Sequence, residues 1–402
     1  MPGGYTLLLN GTEADAGLYA SIASLEVEES MDLPSALELT VPVVSDGSGD
    51  LTYLSDPRFA PLASVAVVAT PGGSSAAGAL GGALGAAASA LGGGSAPTAQ
   101  CIFDGYLLSH KIHVDSGFTK STLMVWAQDA SWLMNLTETV KEWVDVTDAD
   151  VANAIFGNYG ITASDQNAAD DSPSHTEDGH SLMQRGSDIQ FLRTLARRNG
   201  KVCRIACTDT PGQRTGYFAT PNLGGDPVVT FTLTDLQNWN VSTLDLEWDA
   251  TRPTAVVARQ ALFTDLDPSG VSADTSDSGL ALLSDRALAA FTGKDMTVLL
   301  AAPVDDGGEL TLRAQALLRE AEWFVRCEGQ ADVERLGMVL RAGMIVAIKD
   351  IGALHSGSYL VWTVRHSLTA DAHTMKFTLV RNAIGNSPSG GASGLAAAIG
   401  SL

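Results

Sequence analysis

Two histidines, His175 and His180, stand five residues apart in the acidic stretch "SDQNAADDSPSHTEDGH", with Glu177 and Asp178 between them. Imidazoles and carboxylates at this spacing could hold a divalent metal and activate a water on it. No further ligand motif accompanies them, and a solvated loop is the competing reading. The adjoining "GHSLM" lacks the second glycine of a nucleophile elbow. No Gly-rich phosphate loop opens a helix after a strand. The four cysteines, Cys101, Cys203, Cys207 and Cys327, form no CxxC pair. Cys203 and Cys207 share one face of the strand-like "VCRIAC" and read as small buried hydrophobes. His110 and His366 fall on strand faces with apolar neighbours, which suits core or interface histidines. The carboxylates are many but scattered, the pattern of solvated faces. These residues predict no catalytic centre and no cofactor, with His175 and His180 as the sole metal-ligand candidates.

Composition narrows the partners. Lys and Arg number 24 against 46 Asp and Glu, a formal charge of −22. Such a surface repels phosphate backbones and predicts no direct nucleic-acid binding. No basic region followed by an apolar core opens the chain, so no signal peptide is expected and assembly is placed in the bacterial cytoplasm. No apolar run reaches spanning length, so no membrane insertion is expected.

The elements that would position these residues are mostly strands. In "SLEVEES" Leu25 and Val27 alternate with Glu26 and Glu28, and in "SALELTVPV" Leu37, Leu39 and Val41 alternate with Glu38 and Thr40. One dry and one wet face per strand is the signature of antiparallel sheets. "PLASVAVVAT", "QCIFDGYLLSHKIHV" and "KSTLMVWAQD" continue the set, and Asp129 caps a short helical turn in "DASWLMNL". The Gly/Ala-rich stretch Pro71 to Pro97 interrupts these strands, so both its flanks belong to one sheet system. It reads as a long insertion at a hairpin tip, with Leu80, Leu84 and Leu91 near one helical face if it coils.

The middle region changes character. A helix opens at Thr147 or Asp148, and a clearer one runs through "GSDIQFLRTLARRNG", with Ser187 and Gln190 as a capping box and Gly200 as the stop. A hairpin, "KVCRIAC" and "TGYFAT", follows. The last region returns to strands, among them "NVSTLDLEWD", "TAVVARQALF", "RLGMVLRAGMIVAIKD", "GSYLVWTVRHSL" and "HTMKFTLVRN", with an amphipathic helix in "ELTLRAQALLREAEWF". The fold class is therefore α+β, mainly β: two tube-like antiparallel β-barrel domains with an inserted small α+β domain. The expected boundaries are 1–136 for the first barrel with its insertion 71–97, 137–228 for the insert, 229–384 for the second barrel and 385–402 for a Gly/Ala-rich tail.

Several segments carry a resemblance. In "QRGSDIQFLRTLARRNGKV", Ser187, Asp188, Phe191, Leu192, Leu195 and Gly200 fall where the helix signature of the phage late-control protein D family has them. In "GSYLVWTVRHSLTADAHTMKFTLVRN", Gly357, Tyr359, Val361, Val364 and His366 match its C-terminal spacing. "FDGYLLSHKIHVDSGFTKSTLMVWAQDASWLM" resembles its first-barrel hairpin and the helix after it. The family includes contractile-tail baseplate hubs and the hub portions of type VI secretion spikes and extracellular injection particles. The resemblance implies a structural hub and not an enzyme. It implies a homotrimer in which doubled barrels present a quasi-sixfold face to the inner tube protein and a threefold face to a spike, beside other baseplate components of a phage tail or tail-like particle. No spike module follows residue 384, so the spike is expected on a separate polypeptide. Two other classes stay open: a cell-wall hydrolase or metal-dependent enzyme using the His175–His180 loop, and a carbohydrate-binding surface protein.

Overall fold

The computed structural model describes residues 4–385, apart from residues 46, 48, 72–98, 118–119, 170, 173, 178–180, 236, 261–270, 305–306 and 370. The first β-region supplies β1 (Tyr5–Leu9), β2 (Thr12–Glu13), β3 (Ser24–Ser30), β4 (Ala36–Pro42), β5 (Ser64–Ala69), β6 (Gln100–His113) and β7 (Thr122–Asp129). The middle region supplies β8 (Glu138–Trp143), β9 (Thr162–Ala163), β10 (Leu182–Ser187), β11 (Val202–Cys207) and β12 (Arg214–Ala219). The last region supplies β13 (Thr230–Phe231), β14 (Thr243–Trp248), β15 (Ala255–Gln260), β16 (Ser272–Thr275), β17 (Thr297–Ala302), β18 (Val325–Asp332), β19 (Ile345–Ile348), β20 (Gly357–Leu368) and β21 (His373–Arg381). Three longer helices are α1 (Asp148–Asn158), α2 (Asp188–Arg198) and α3 (Gly307–Ala321). The class is α+β, mainly β, as the alternating strands require.

The two β-regions are not separate sheets. β3 pairs antiparallel with the second half of β20, so one 13-stranded sheet runs through both. The second region repeats the strand order of the first. β3-β4-β7-β6-β5-β1 on one side of the seam corresponds to β14-β18-β21-β20-β19-β13 on the other. The pairings agree except at the end, where β1–β5 is antiparallel and β13–β19 is parallel. Even the irregularity recurs: the register slips past Leu108 in β6–β7 and past Trp362 in β20–β21. Aligned through these registers, "SLEVEE" of β3 lies on "TLDLEW" of β14.

The dry face of the sheet makes one core. Leu25, Val27, Leu37, Leu39 and Val41 from β3 and β4 join Tyr359, Val361, Val364 and Phe377 from β20 and β21, all buried. Each such side chain contributes about 1.5–3 kcal/mol through burial. A second core gathers Ala130 and Met134 with Ile155 and Phe156 of α1, Phe191, Leu192 and Leu195 of α2, and Cys203, Ile205 and Phe218 of the β11–β12 hairpin. A third forms where Leu310, Ala314 and Leu318 of α3 pack on β15.

Several expectations change in detail. Thr147 and Asp150 form the capping box of α1, the Thr147 N–H donating to Asp150 at 2.9 Å and the Asp150 N–H to Thr147 Oγ1 at 3.2 Å. At α2 the expected box with Gln190 does not form: the Ser187 side chain accepts no capping bond, and its hydroxyl donates to Asn135 Oδ1 at 2.6 Å. "RLGMVLRAGMIVAIKD" is a strand only from Ile345; Val333–Leu336 is a helical turn. β5 and β6 pair antiparallel as far as Ala69 and Gln100, so the Gly/Ala-rich stretch connects two hairpin strands. The expected coil within 71–97 and the tail beyond Gly385 lie outside the described residues.

Candidate functional site

The motif residues take the following places in the fold. Asp188 opens α2, and its carboxylate accepts from Gln184 Nε2 at 2.6 Å and from the Tyr159 hydroxyl at 2.8 Å. Trp143 Nε1 donates to Gln184 Oε1 at 3.0 Å, extending this chain into the core. Phe191, Leu192 and Leu195 are buried. Gly200 stops α2 with φ of +62°, and a Cβ there would stand 2.7 Å from the Ala316 Cα of α3. The glycine thus both turns the chain and seats one helix against another. Gly357 starts β20, and Tyr359 is buried with its hydroxyl donating to the His355 carbonyl at 2.7 Å. Val361 and Val364 are core. His366 is fully buried, its Nδ1 3.0 Å from His373 Nε2. Burial pushes both imidazoles down, His373 to about 4.

His175 is also committed to structure. Its Nε2 lies 2.7 Å from Asp148 Oδ1, and Arg198 Nη2 reaches the same carboxylate at 3.0 Å; Asn199 Nδ2 also donates to it. Burial works to raise the Asp148 pKa, but His175 and Arg198 outweigh it and hold the carboxyl below its usual range. This clasp ties the start of α1 to the end of α2. His180 lies outside the described residues, and among the described residues no three His, Cys, Asp or Glu groups gather as a metal site. His110 is exposed, not core.

Ion pairs lock the regions together. Asp104 of β6 receives Arg214 of β12 at 2.9 and 3.0 Å. Burial opposes the Arg214 charge, yet these bonds hold its pKa above the ordinary value. Arg319 of α3 donates to the Asn199 carbonyl at 2.9 Å and to Asp171 at 2.9 Å. Arg341 grips both oxygens of the buried Glu29 at 2.8 and 2.7 Å. The sheet, the middle region and α3 therefore meet through paired, largely buried charges.

Two strand edges stand out. β5 accompanies β6 only to Tyr106, and the Leu107 N–H still donates to the Ala63 carbonyl. From Ser109 on, β6 has β7 on one side and no strand on the other among the described residues. Ser109 to Val114 are exposed there, including Ile112 at 36% and Val114 at 55%. At the far end of the sheet β14 pairs only with β18, and Trp248 is 49% exposed.

A family model described as the Alg8 N-terminal domain matches residues 91–370, more than half of the chain. The chain belongs to the Alg8 N-terminal domain family. Among solved structures, this Alg8-type chain is similar to a tail protein from Neisseria meningitidis MC58 (TM-score 0.61, 13% identity, 94% of this chain and 97% of that one). It is also similar to the 43 kDa tail protein of prophage MuSo2 from Shewanella oneidensis (TM-score 0.59, 12% identity, 94% and 98%). A third similar structure is an E. coli type VI secretion component described as structurally similar to bacteriophage T4 tail proteins (TM-score 0.53, 13% identity, 95% and 79%). No curated protein matches. The Alg8-type chain thus has the fold of phage tail proteins. Its family model bears another description than late-control protein D, and the likeness to tail and type VI proteins supports that resemblance at the coarser level of fold. No helix among the described residues is long and apolar enough to cross a membrane.

Sequence reasoning missed Glu29, Asp104, Arg214, Arg341 and His373. Glu29 had a signal: it shares the strand face of Leu25 and Val27, so a carboxylate there must be buried and paired. The partner's identity had none, because Arg341 is 312 residues away.

Proposed function

We propose that this protein is a structural hub of a contractile tail or tail-like particle, closing head-to-tail into a homotrimer that adapts a hexameric inner tube to a threefold spike. One observation carries the reading. The chain already contains one module-to-module junction, β20 against β3, and among the described residues it leaves the equivalent edges, β6 from Ser109 on and the outer side of β14, without a partner strand. A second copy can repeat the junction by setting its β14 against β6. Repetition of one heterologous contact closes a ring when the rotation permits, and three doubled modules give six quasi-equivalent positions.

The internal junction supplies the register. Arg365 faces Glu28, His366 faces Val27 and Leu368 faces Leu25. The equivalents put Lys111 against Glu247, Ile112 against Leu246 and Val114 against Leu244 of the next copy. Charges and apolar side chains both match. Neither Lys111 nor Glu247 has an ion pair among the described residues. The domain boundaries fit this scheme as 1–136 and 229–384 for the two modules and 137–228 for the brace between them. The fold shared with tail proteins and a type VI component supports the setting in a particle with tube, spike and other baseplate partners.

Charge reversal tests the contact. Lys111→Glu or Glu247→Lys alone is expected to weaken the trimer at least tenfold in mass photometry, and the double exchange to restore it. Trimers unaffected by either single change would overturn the register. A chain that stays monomeric at all concentrations, alone and with its tube protein, would overturn the hub reading.

A further inference from the structure

Arg204 stands on β11, where Cys203 and Ile205 point into the middle core and Arg204 points the other way. Its register partner is Tyr217 of β12, and the guanidinium stacks on that ring at 4.6 Å. It faces a pocket of about 260 Å³ between the hairpin, the end of β3 and the turn before β19. The charged residues lining this pocket are Glu29, Arg204 and Arg341. Glu29 is taken up by Arg341 through both carboxylate oxygens. Arg204 has no hydrogen bond or ion pair among the described residues, and its enclosed Nε lacks any acceptor. Gly343, with φ of +91°, leaves the space: a Cβ there would meet Arg204 Nη2 at 2.8 Å. Burial accordingly pushes the Arg204 pKa down. The polar side chains of Gln166, Thr220 and Asn222 complete the wall.

A half-buried guanidinium placed over an aromatic ring, with no acceptor among the described residues, is a fork for a planar anion. The pocket carries one uncompensated positive charge within a chain of net charge −22. Its size suits a short carboxylic acid or the end of an acidic side chain. We propose that this pocket is a carboxylate-binding site in which Arg204 is the recognising residue, the carboxylate coming from a small organic acid or from a partner's Asp or Glu. The site is separate from the strand edges that would join copies, so the proposal does not rest on the hub reading.

The test uses the full-length protein and two probes, sodium succinate and N-acetylglutamate methylamide, titrated by calorimetry against sodium chloride at matched ionic strength. Saturable binding of either probe at one site per chain, weakened at least tenfold in Arg204→Gln, supports the site. Preference for succinate assigns it to a free acid, and preference for the capped glutamate to a protein side chain. Asn222→Asp gives a check that leaves Arg204 in place. Asn222 is exposed and accepts from the Gly224 N–H, a role aspartate retains, so the fold stands while the added charge repels the probe. No saturable response to either probe, or equal affinity in the wild type and both variants, overturns the proposal.

Discussion

Arg365 on β20 reaches across the seam of the sheet to Glu28 on β3, its Nη2 2.8 Å from the carboxylate. Both side chains are well exposed, so the pair adds at most about 1 kcal/mol. Its value lies in register. A slip of β3 by one residue would turn Leu25 and Val27 out of the core, and an opposed charge pair on the wet face penalises that slip. The seam makes two β-regions into one body.

Beneath the seam, the buried Glu29 is paired with the largely buried Arg341. Glu29→Gln is expected to destabilise the protein by about 3–5 kcal/mol, since Arg341 keeps its charge without a counterion. Glu29→Leu with Arg341→Met is expected to recover most of that loss. Urea unfolding of the three proteins checks it.

The His366–His373 pair predicts a pH dependence. Burial lowers both pKa values, His373 to about 4 from an ordinary 6.5. The unfolded chain therefore binds more protons than the folded one between these values. The neutral pair's contribution is fully present above pH 6.5 and is lost as pH falls towards 4. His373 alone accounts for about 3 kcal/mol over that window. The neighbouring charges, Asp332 and Arg341, act in opposite directions on the pair. His373→Gln keeps a donor for His366 and should flatten the stability profile between pH 4 and 6.5 by that amount. Profiles of equal slope would contradict the assignment.

Much of the fold is legible in the chain because "SLEVEES" and "SALELTVPV" have one dry face each, and that fixes period, burial and antiparallel class. The repeat is not legible, since "SLEVEE" and "TLDLEW" share a hydropathy pattern that any half-buried strand shares. The seam is not legible either: β3 and β20 lie at opposite ends of the chain, and a pairing so distant leaves no local mark. Ser187 shows the limit of motif reading. Both members of its capping box are present, yet no capping bond forms, and the hydroxyl is oriented towards Asn135, which the fold brings close. His175 is similar, a ligand candidate by spacing that the structure spends on Asp148.

Gly200 offers a sharper test of packing. Gly200→Ala must adopt positive φ and push a methyl against the Ala316 backbone. The expected loss is about 2–4 kcal/mol, summing backbone strain and overpacking. Thermal unfolding of the variant measures it, and a change below 0.5 kcal/mol would show that α2 and α3 adjust freely.

The central claim is that each copy repeats its own β20–β3 junction with a neighbour through β6 and β14. Cross-linking reads this directly. Ile112→Cys with Leu246→Cys, oxidised and run on a denaturing gel, is predicted to give covalent dimers and then closed trimers, while Ile112→Cys with Leu244→Cys, out of register, gives little. Equal cross-linking of both pairs, or none from the matched pair in an assembled particle, would contradict the account.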